Sequence, residues 1–240
     1  MIVAEKLGKH FDDFKVLNDI SFQIEEGDIY GLIGMSGAGK STLLRCINAL
    51  TPYQEGSLKV FGKEVKSLED KELRDFRRDI GMVFQNFALI ERKSAYKNIA
   101  LPMESWGYSK EEIEHNVHRL LKLVGLEEKK DRKPRNLSGG EKQRVAVARA
   151  LTLNPKILLS DEATSSLDPR TTLQILDLYQ KIQEELGITI VVVTHQMEVI
   201  TTICNRVSVL EQGEIEISGL TEEVFEDRPD ALLRLLGKTS

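Results

Sequence analysis

Gly34-Met35-Ser36-Gly37-Ala38-Gly39-Lys40-Ser41 is the stretch whose reading decides the fold of this chain. It follows an apolar run, Ile29-Tyr30-Gly31-Leu32-Ile33, that predicts a buried strand. It precedes Thr42-Leu43-Leu44-Arg45-Cys46-Ile47, which predicts the opening turns of a helix. A strand, then G-x-x-x-x-G-K-[ST], then a helix is the phosphate-binding loop in the context it needs. Several backbone N–H groups must point at one polyphosphate, and Gly37 and Gly39 let the backbone come that close. The helix start adds its partial positive charge. Lys40 is expected on the β- and γ-phosphates of a nucleotide, and the Ser41 hydroxyl on Mg²⁺. Gly34 to Thr42 are therefore the candidate residues for the nucleotide phosphates.

Upstream, Ile2 and Ala4, then Ile20, Phe22 and Ile24, keep a period of two on either side of a turn-like Phe11-Asp12-Asp13-Phe14, as half-buried strands do. Downstream, Thr51-Pro52 and Glu55-Gly56 are expected to break the structure. Residues 57–62 predict a short strand with a turn, residues 68–79 a surface helix, and Ile80-Gly81-Met82-Val83-Phe84 a strand ending at Gln85. From about 90 to 150 the pattern is helical. Ile113, Val117, Leu120, Leu121 and Val124 recur at helical spacing, Ser109 is the expected N-cap, and Gly125 the stop. A second helix is expected from about Gly140 through Leu151. Strand signals return at Ile157-Leu158-Leu159, Ile188 to Val193 and Val207 to Leu210, with a helix over about 169–186. Strands alternating with helices predict a mainly parallel sheet. The chain reads as one α/β domain over 1–240, with a helical lobe of about 88–150 inserted.

Asp161 and Glu162 close the apolar run at 157–159. Carboxylates at the C-terminal end of a parallel strand lie at the sheet edge where open α/β folds bind ligands. Asp161 is the candidate for the Mg²⁺ shell, and Glu162 for orienting or deprotonating an attacking water. Leu137-Ser138-Gly139-Gly140-Glu141 precedes a helix and offers a second anion-binding turn, although in isolation it also reads as a plain N-cap with glycine at the turn.

The 240 residues are 41% hydrophobic and 30% charged, an ordinary globular balance, and the net charge of −5 argues against a nucleic-acid partner. Cys46 and Cys204 lie far apart among apolar neighbours and read as small buried hydrophobes. No run approaches the roughly 18–20 apolar residues of a membrane span, and Met1 to Lys6 lack the form of a signal peptide. A cytosolic chain is expected, with any membrane role supplied by a partner. His115 and His118 stand three apart with no third ligand near, and read as a solvated face.

Taken together, Leu137 to Arg144, then Asp161-Glu162-Ala163-Thr164-Ser165-Ser166-Leu167-Asp168, then Thr194-His195, in this order and spacing, resemble the nucleotide-binding subunit of ATP-binding cassette (ABC) transporters across nearly the whole chain. The resemblance implies a RecA-like core with an antiparallel β subdomain and a helical subdomain. It implies ATP and Mg²⁺ as ligands and a head-to-tail homodimer. In that dimer the P-loop of one subunit and Ser138-Gly139-Gly140 of the other would sandwich each ATP. It further implies that Gln85 contacts Mg²⁺ and the water and couples to a transmembrane permease. His195 would sense the γ-phosphate, Asp168 reach across the dimer, and Phe11 stack on adenine. The subunit would sit peripherally on the cytoplasmic face of the membrane, linked through the permease to a solute-binding protein.

The chain departs from the family pattern at three points. Glu141 stands where glutamine is commonest, Phe11 where tyrosine is, and Ser160 interrupts the apolar run before Asp161. Cys204-Asn205-Arg206-Val207 after Thr194-His195-Gln196-Met197-Glu198, the block from Asp161 to Thr172, and Gly81 to Phe87 lean toward amino-acid importers, above all the methionine class. That class usually continues into a regulatory ligand-sensing domain, which is not expected in a chain ending at Ser240; polar amino-acid importers often end near this length. The rival reading is a non-transport ABC ATPase that regulates a cell-wall hydrolase or a soluble assembly. A generic P-loop kinase would lack the Leu-Ser-Gly-Gly turn.

Overall fold

The first two strands, β1 (Ile2–Phe11) and β2 (Phe14–Ile24), form an antiparallel hairpin that pairs Phe11 with Phe14 across its turn. The structure, a computed structural model, describes residues 1–227 together with 232. All five residues of β3 (Ile29–Ile33) are buried, and α1 (Lys40–Ile47) follows the glycine-rich loop. β4 (Glu55–Val60) and the two-residue β5 (Lys63–Glu64) complete a four-stranded sheet of order β2-β1-β4-β5. The expected break at Glu55-Gly56 is instead the start of β4. A Cβ at position 56 would stand 2.1 Å from the Lys6 carbonyl, so the glycine there permits close strand pairing.

After α2 (Asp70–Arg78) and β6 (Ile80–Val83) come the lobe helices α3 (Ala95–Trp106), α4 (Lys110–Leu123) and α5 (Gly139–Leu151). Ser109 caps α4, as the sequence predicts, and the Glu112 carboxylate accepts the Ser109 N–H in return, completing a capping box. The remaining elements are β7 (Ile157–Asp161), α6 (Pro169–Leu186), β8 (Thr189–Thr194), α7 (Met197–Ile203), β9 (Arg206–Glu211), β10 (Glu214–Leu220) and α8 (Thr221–Asp227). The second sheet has the order β10-β9-β3-β8-β7-β6; it is parallel throughout except for β10, which runs antiparallel on β9.

That parallel sheet divides the interior. Ile29 and Ile33 of β3 and Ile190 and Val192 of β8 face a core shared with the lobe helices and α6. Tyr30, Leu32, Val191 and Val193 face the opposite core, closed by the first sheet and α1. This is the period-two geometry of strands covered on both faces, and it explains why these strands read as continuous apolar runs. Asp161 pairs with Val193, and Ile33 with Thr194, so β3, β7 and β8 end together at one edge of the sheet.

Candidate nucleotide site

The loop after β3 and the first turn of α1 form the centre of that edge. Gly39 has φ +103°, and a Cβ there would lie 2.9 Å from the Val16 carbonyl, so the turn needs glycine. No side chain caps α1 and no acid lies in its first turn, whereas α4, α5 and α6 are capped by Ser109, Ser138 and Asp168. The amide groups of the α1 start therefore face the loop mouth without an acceptor side chain, the donor set a phosphate requires. Met35, Ser36 and Gly37 form the exposed rim, while Ala38 and Gly39 are buried.

Lys40 is 4% exposed. Its Nζ donates to the Gly34 and Met35 carbonyls, each at 2.8 Å, and stands 3.7 Å from Glu162 Oε1. Burial pulls the ammonium below the usual lysine range, against the opposing pull of Glu162 and Asp161. The Ser41 hydroxyl donates to Asp161 Oδ1 at 2.7 Å. Serine and aspartate thus meet at the point where the resemblance places Mg²⁺. Among the described residues no group of three His, Cys, Asp or Glu could hold a metal alone. Mg²⁺ suits such a pair, because it takes one or two protein ligands and fills its shell with phosphate oxygens and water. His115 and His118 are exposed as expected, the latter set edge-on to Tyr96.

Glu162 holds φ +47°, a left-handed conformation that costs a side-chain-bearing residue strain. It is pinned there by its own N–H donating to the Val193 carbonyl at 3.0 Å and by the Ser165 hydroxyl donating to the Glu162 carbonyl at 2.9 Å. The carboxylate is ringed by nitrogen. Gln85 Nε2 reaches Glu162 Oε2 at 3.4 Å, and His195 Nδ1 stands 3.7 Å from Glu162 Oε1. Gln85 also donates to Ser165 Oγ at 3.4 Å, a partner that motif spacing alone does not single out. Ser160, the interruption in β7, is buried and shares a hydrogen bond of 2.9 Å with the hydroxyl of buried Tyr179. A polar residue is tolerated there because it has that partner.

Phe11 is 48% exposed, with Lys9 Nζ 4.3 Å from its ring centroid. Its hairpin touches the phosphate loop through Val16, the carbonyl beside Gly39. The Ser138-Gly139-Gly140 turn belongs to a different group. It opens α5 beneath the start of α6, so closely that a Cβ on Gly140 would lie 2.4 Å from Thr171. Asp168 caps α6 through the Thr171 N–H at 3.0 Å and the Thr171 hydroxyl at 2.6 Å, and these donors hold its carboxyl below the usual range. The fold thus brings together the phosphate loop, Gln85, Asp161, Glu162 and His195. It leaves Ser138, Gly139, Gly140 and Asp168 on the paired starts of α5 and α6.

A family model described as ABC transporter matches residues 17–165. The chain is 58% identical over its full length to a protein of Clostridioides difficile named methionine import ATP-binding protein MetN, of which it spans 75%. It is 54% identical to the protein of the same name in Clostridium acetobutylicum, again over 100% of this chain and 75% of the relative. Among solved structures, the dimeric post-hydrolysis ATP-binding cassette MJ0796 bound to ADP and Pi superposes with a TM-score of 0.83 at 37% identity, covering 92% of this chain and 99% of that one. The cbiO1 protein of Clostridium perfringens, part of the ABC transporter complex cbiONQ, superposes at 0.88 with 31% identity, covering 98% and 94%. With the site geometry and these likenesses in agreement, the chain belongs to the ABC transporter family, as one of its ATP-hydrolysing members.

Proposed function

We propose that this chain is the single nucleotide-binding domain of an amino-acid importer, with methionine as the solute, and that it works as a head-to-tail homodimer. The observation that carries the dimer is the division of the site. One edge gathers Lys40, Ser41, Asp161 and Glu162, the groups a Mg²⁺-nucleotide and its hydrolysis would call on, while the Ser138 turn stands apart on the α5 start. A second copy, inverted, brings the two together. The likeness to proteins named methionine import ATP-binding proteins supports the choice of solute.

In this reading Lys40 leaves the Gly34 and Met35 carbonyls for the β- and γ-phosphates, and Phe11 lies against adenine. Ser41 and Asp161 would hold Mg²⁺, which would supply charge neutralisation to the phosphate oxygens. Glu162 orients the attacking water and accepts its proton, Gln85 positions that water, and His195 donates toward the γ-phosphate. Asp168 and the Ser138 turn act across the interface.

Among the described residues no helix is long and apolar enough to cross a membrane. In the importer reading permease subunits span the membrane, with a solute-binding protein beyond them; the likeness to proteins named methionine import ATP-binding proteins supports this. A groove of about 340 Å³ lined by Arg77, Arg78, Phe84, Ala88, Pro102 and Arg149 lies between α2, β6 and the lobe, next to Gln85, and suits a permease segment. The subunit would then sit peripherally on the cytoplasmic face. The test is recovery of the Glu162→Gln variant from membranes of its source cell with ATP present. Co-purification of a permease and an amino-acid-binding lipoprotein supports transport. A wall-hydrolase regulator or a soluble complex in their place overturns the transport claim and leaves the ATP site intact.

A further inference from the structure

The Ser138 turn carries a residue that ought to spoil it. Glu141 is the third residue of α5, and its carboxylate lies one turn from the helix start that would meet a phosphate. Its Oε2 accepts the Ser138 N–H at 2.9 Å, and its own N–H donates to Ser138 Oγ at 3.3 Å. This capping box orders the turn, and it occupies an acceptor position of the Ser138 hydroxyl while leaving the O–H free to donate outward. The geometry therefore helps an incoming anion, but the formal negative charge opposes it.

The other carboxylate oxygen, Oε1, is in direct contact with the ammonium of Lys129, which comes from the short helical turn Glu127–Lys129. Lys129 and Glu141 are 47% and 22% exposed, and the carboxyl is held below its usual range first by Lys129 and then by the Ser138 N–H. A pair this exposed adds little to fold stability. Its consequence is local: the turn keeps the geometry of a charged capping box without presenting a net charge to a phosphate.

We propose that Lys129 is a positioning and charge-masking residue for the nucleotide sandwich. Its ammonium cancels the Glu141 carboxylate, so that the Ser138-Gly139-Gly140 turn can accept the γ-phosphate held by the P-loop of a second copy. This rests on the head-to-tail reading above. The sequence departure at Glu141 and the lysine twelve residues before it are then one device: glutamine at position 141 would need no masking, and glutamate does.

The test uses the full chain in the Glu162→Gln background, where bound ATP persists, and reads the dimer dissociation constant by sedimentation. Monomer affinity for ATP and the melting curve are measured in parallel. Lys129→Ala unmasks one charge within a helical turn of the phosphate and should weaken ATP-driven dimerisation roughly tenfold, with less effect at high salt. Monomer ATP affinity should stay put, because the P-loop is untouched. Adding Glu141→Gln to Lys129→Ala should restore dimerisation, which loss of a merely structural contact would not allow. Lys129→Ala dimers as tight as the parent's, or a double variant as weak as Lys129→Ala alone, would overturn the proposal. Ser138→Arg separates the two levels: ATP-dependent dimers that survive it overturn the sandwich reading itself. Loss of dimers in Ser138→Arg beside an unaffected Lys129→Ala overturns only the masking role.

Discussion

The start of α1 and the start of α5, the two turns proposed to meet phosphate, are built in opposite ways. At α1 no side chain caps the helix, and the nearest cation, Lys40, is folded onto the carbonyls of its own loop. At α5 the cap is complete: Ser138 and Glu141 satisfy each other, and Lys129 closes the circuit. In the proposed reading the first site rearranges to bind, since Lys40 exchanges two neutral acceptors for phosphate oxygens. The second is ordered before anything arrives. A mobile charge suits the subunit that captures ATP from solution, where the exchange can be repeated in every cycle. A fixed turn suits a surface that tests whether a partner already holds ATP, because ordering it in advance lowers the cost of association.

The sharpest way to break this division is at Glu162. Glu162→Gln keeps the shape and the contact with Gln85 but removes the basic carboxylate, so single-turnover hydrolysis should fall by about a thousandfold. ATP affinity of the monomer should hold, and an ATP-bound dimer should accumulate during gel filtration. Hydrolysis at the parent rate would remove Glu162 from the chemistry and with it the claim that the α1 edge is the reacting half.

The two halves also differed in how far the sequence disclosed them. The α1 half was legible because its parts are contiguous: a strand, a glycine-bearing loop, Lys40 and Ser41 follow one another, and Asp161-Glu162 close an apolar run. The conformations of those parts were not legible. Neither the left-handed backbone of Glu162 nor the return of Lys40 to the Gly34 and Met35 carbonyls leaves a mark in composition or spacing, since both depend on Val193 and on loop closure. The lobe was legible as helical, but α3 was not delimited, because Pro102 lies inside it. The short α7 and the edge strand β10 also escaped, although Glu214-Ile215-Glu216-Ile217 alternates and gave the signal a half-exposed strand should give. Lys129 left no signal at all: it meets Glu141 only because the chain turns between residues 129 and 138.

A second variant measures the mobility of the α1 half. Lys40→Ala removes the cation that must cross from carbonyls to phosphate, and monomer affinity for Mg-ATP should drop about a hundredfold, the worth of a charge-assisted contact in a buried setting. Titration calorimetry reads it directly. The Ser138 turn is not involved in that step, so the same experiment on Ser138→Arg should return the parental monomer affinity. If the two variants lost affinity equally, the halves would not be separate in function.

The smallest expected effect concerns the base rather than the phosphates. Phe11 stands exposed on a hairpin that meets the phosphate loop through Val16 and Leu17, with the Lys9 ammonium near its ring. Stacking of a base on an aromatic face contributes about 1–3 kcal/mol and depends little on which base it is. Phe11→Ala should therefore weaken monomer affinity by roughly tenfold for ATP and by a similar factor for GTP. Phe11→Tyr should keep both affinities, since the ring is what matters. A loss confined to ATP would mean that the hairpin reads the adenine edge by hydrogen bonds, making it a specificity element. An equal loss makes it a platform, and leaves nucleotide capture resting mainly on the loop and on the charge that Lys40 brings to it.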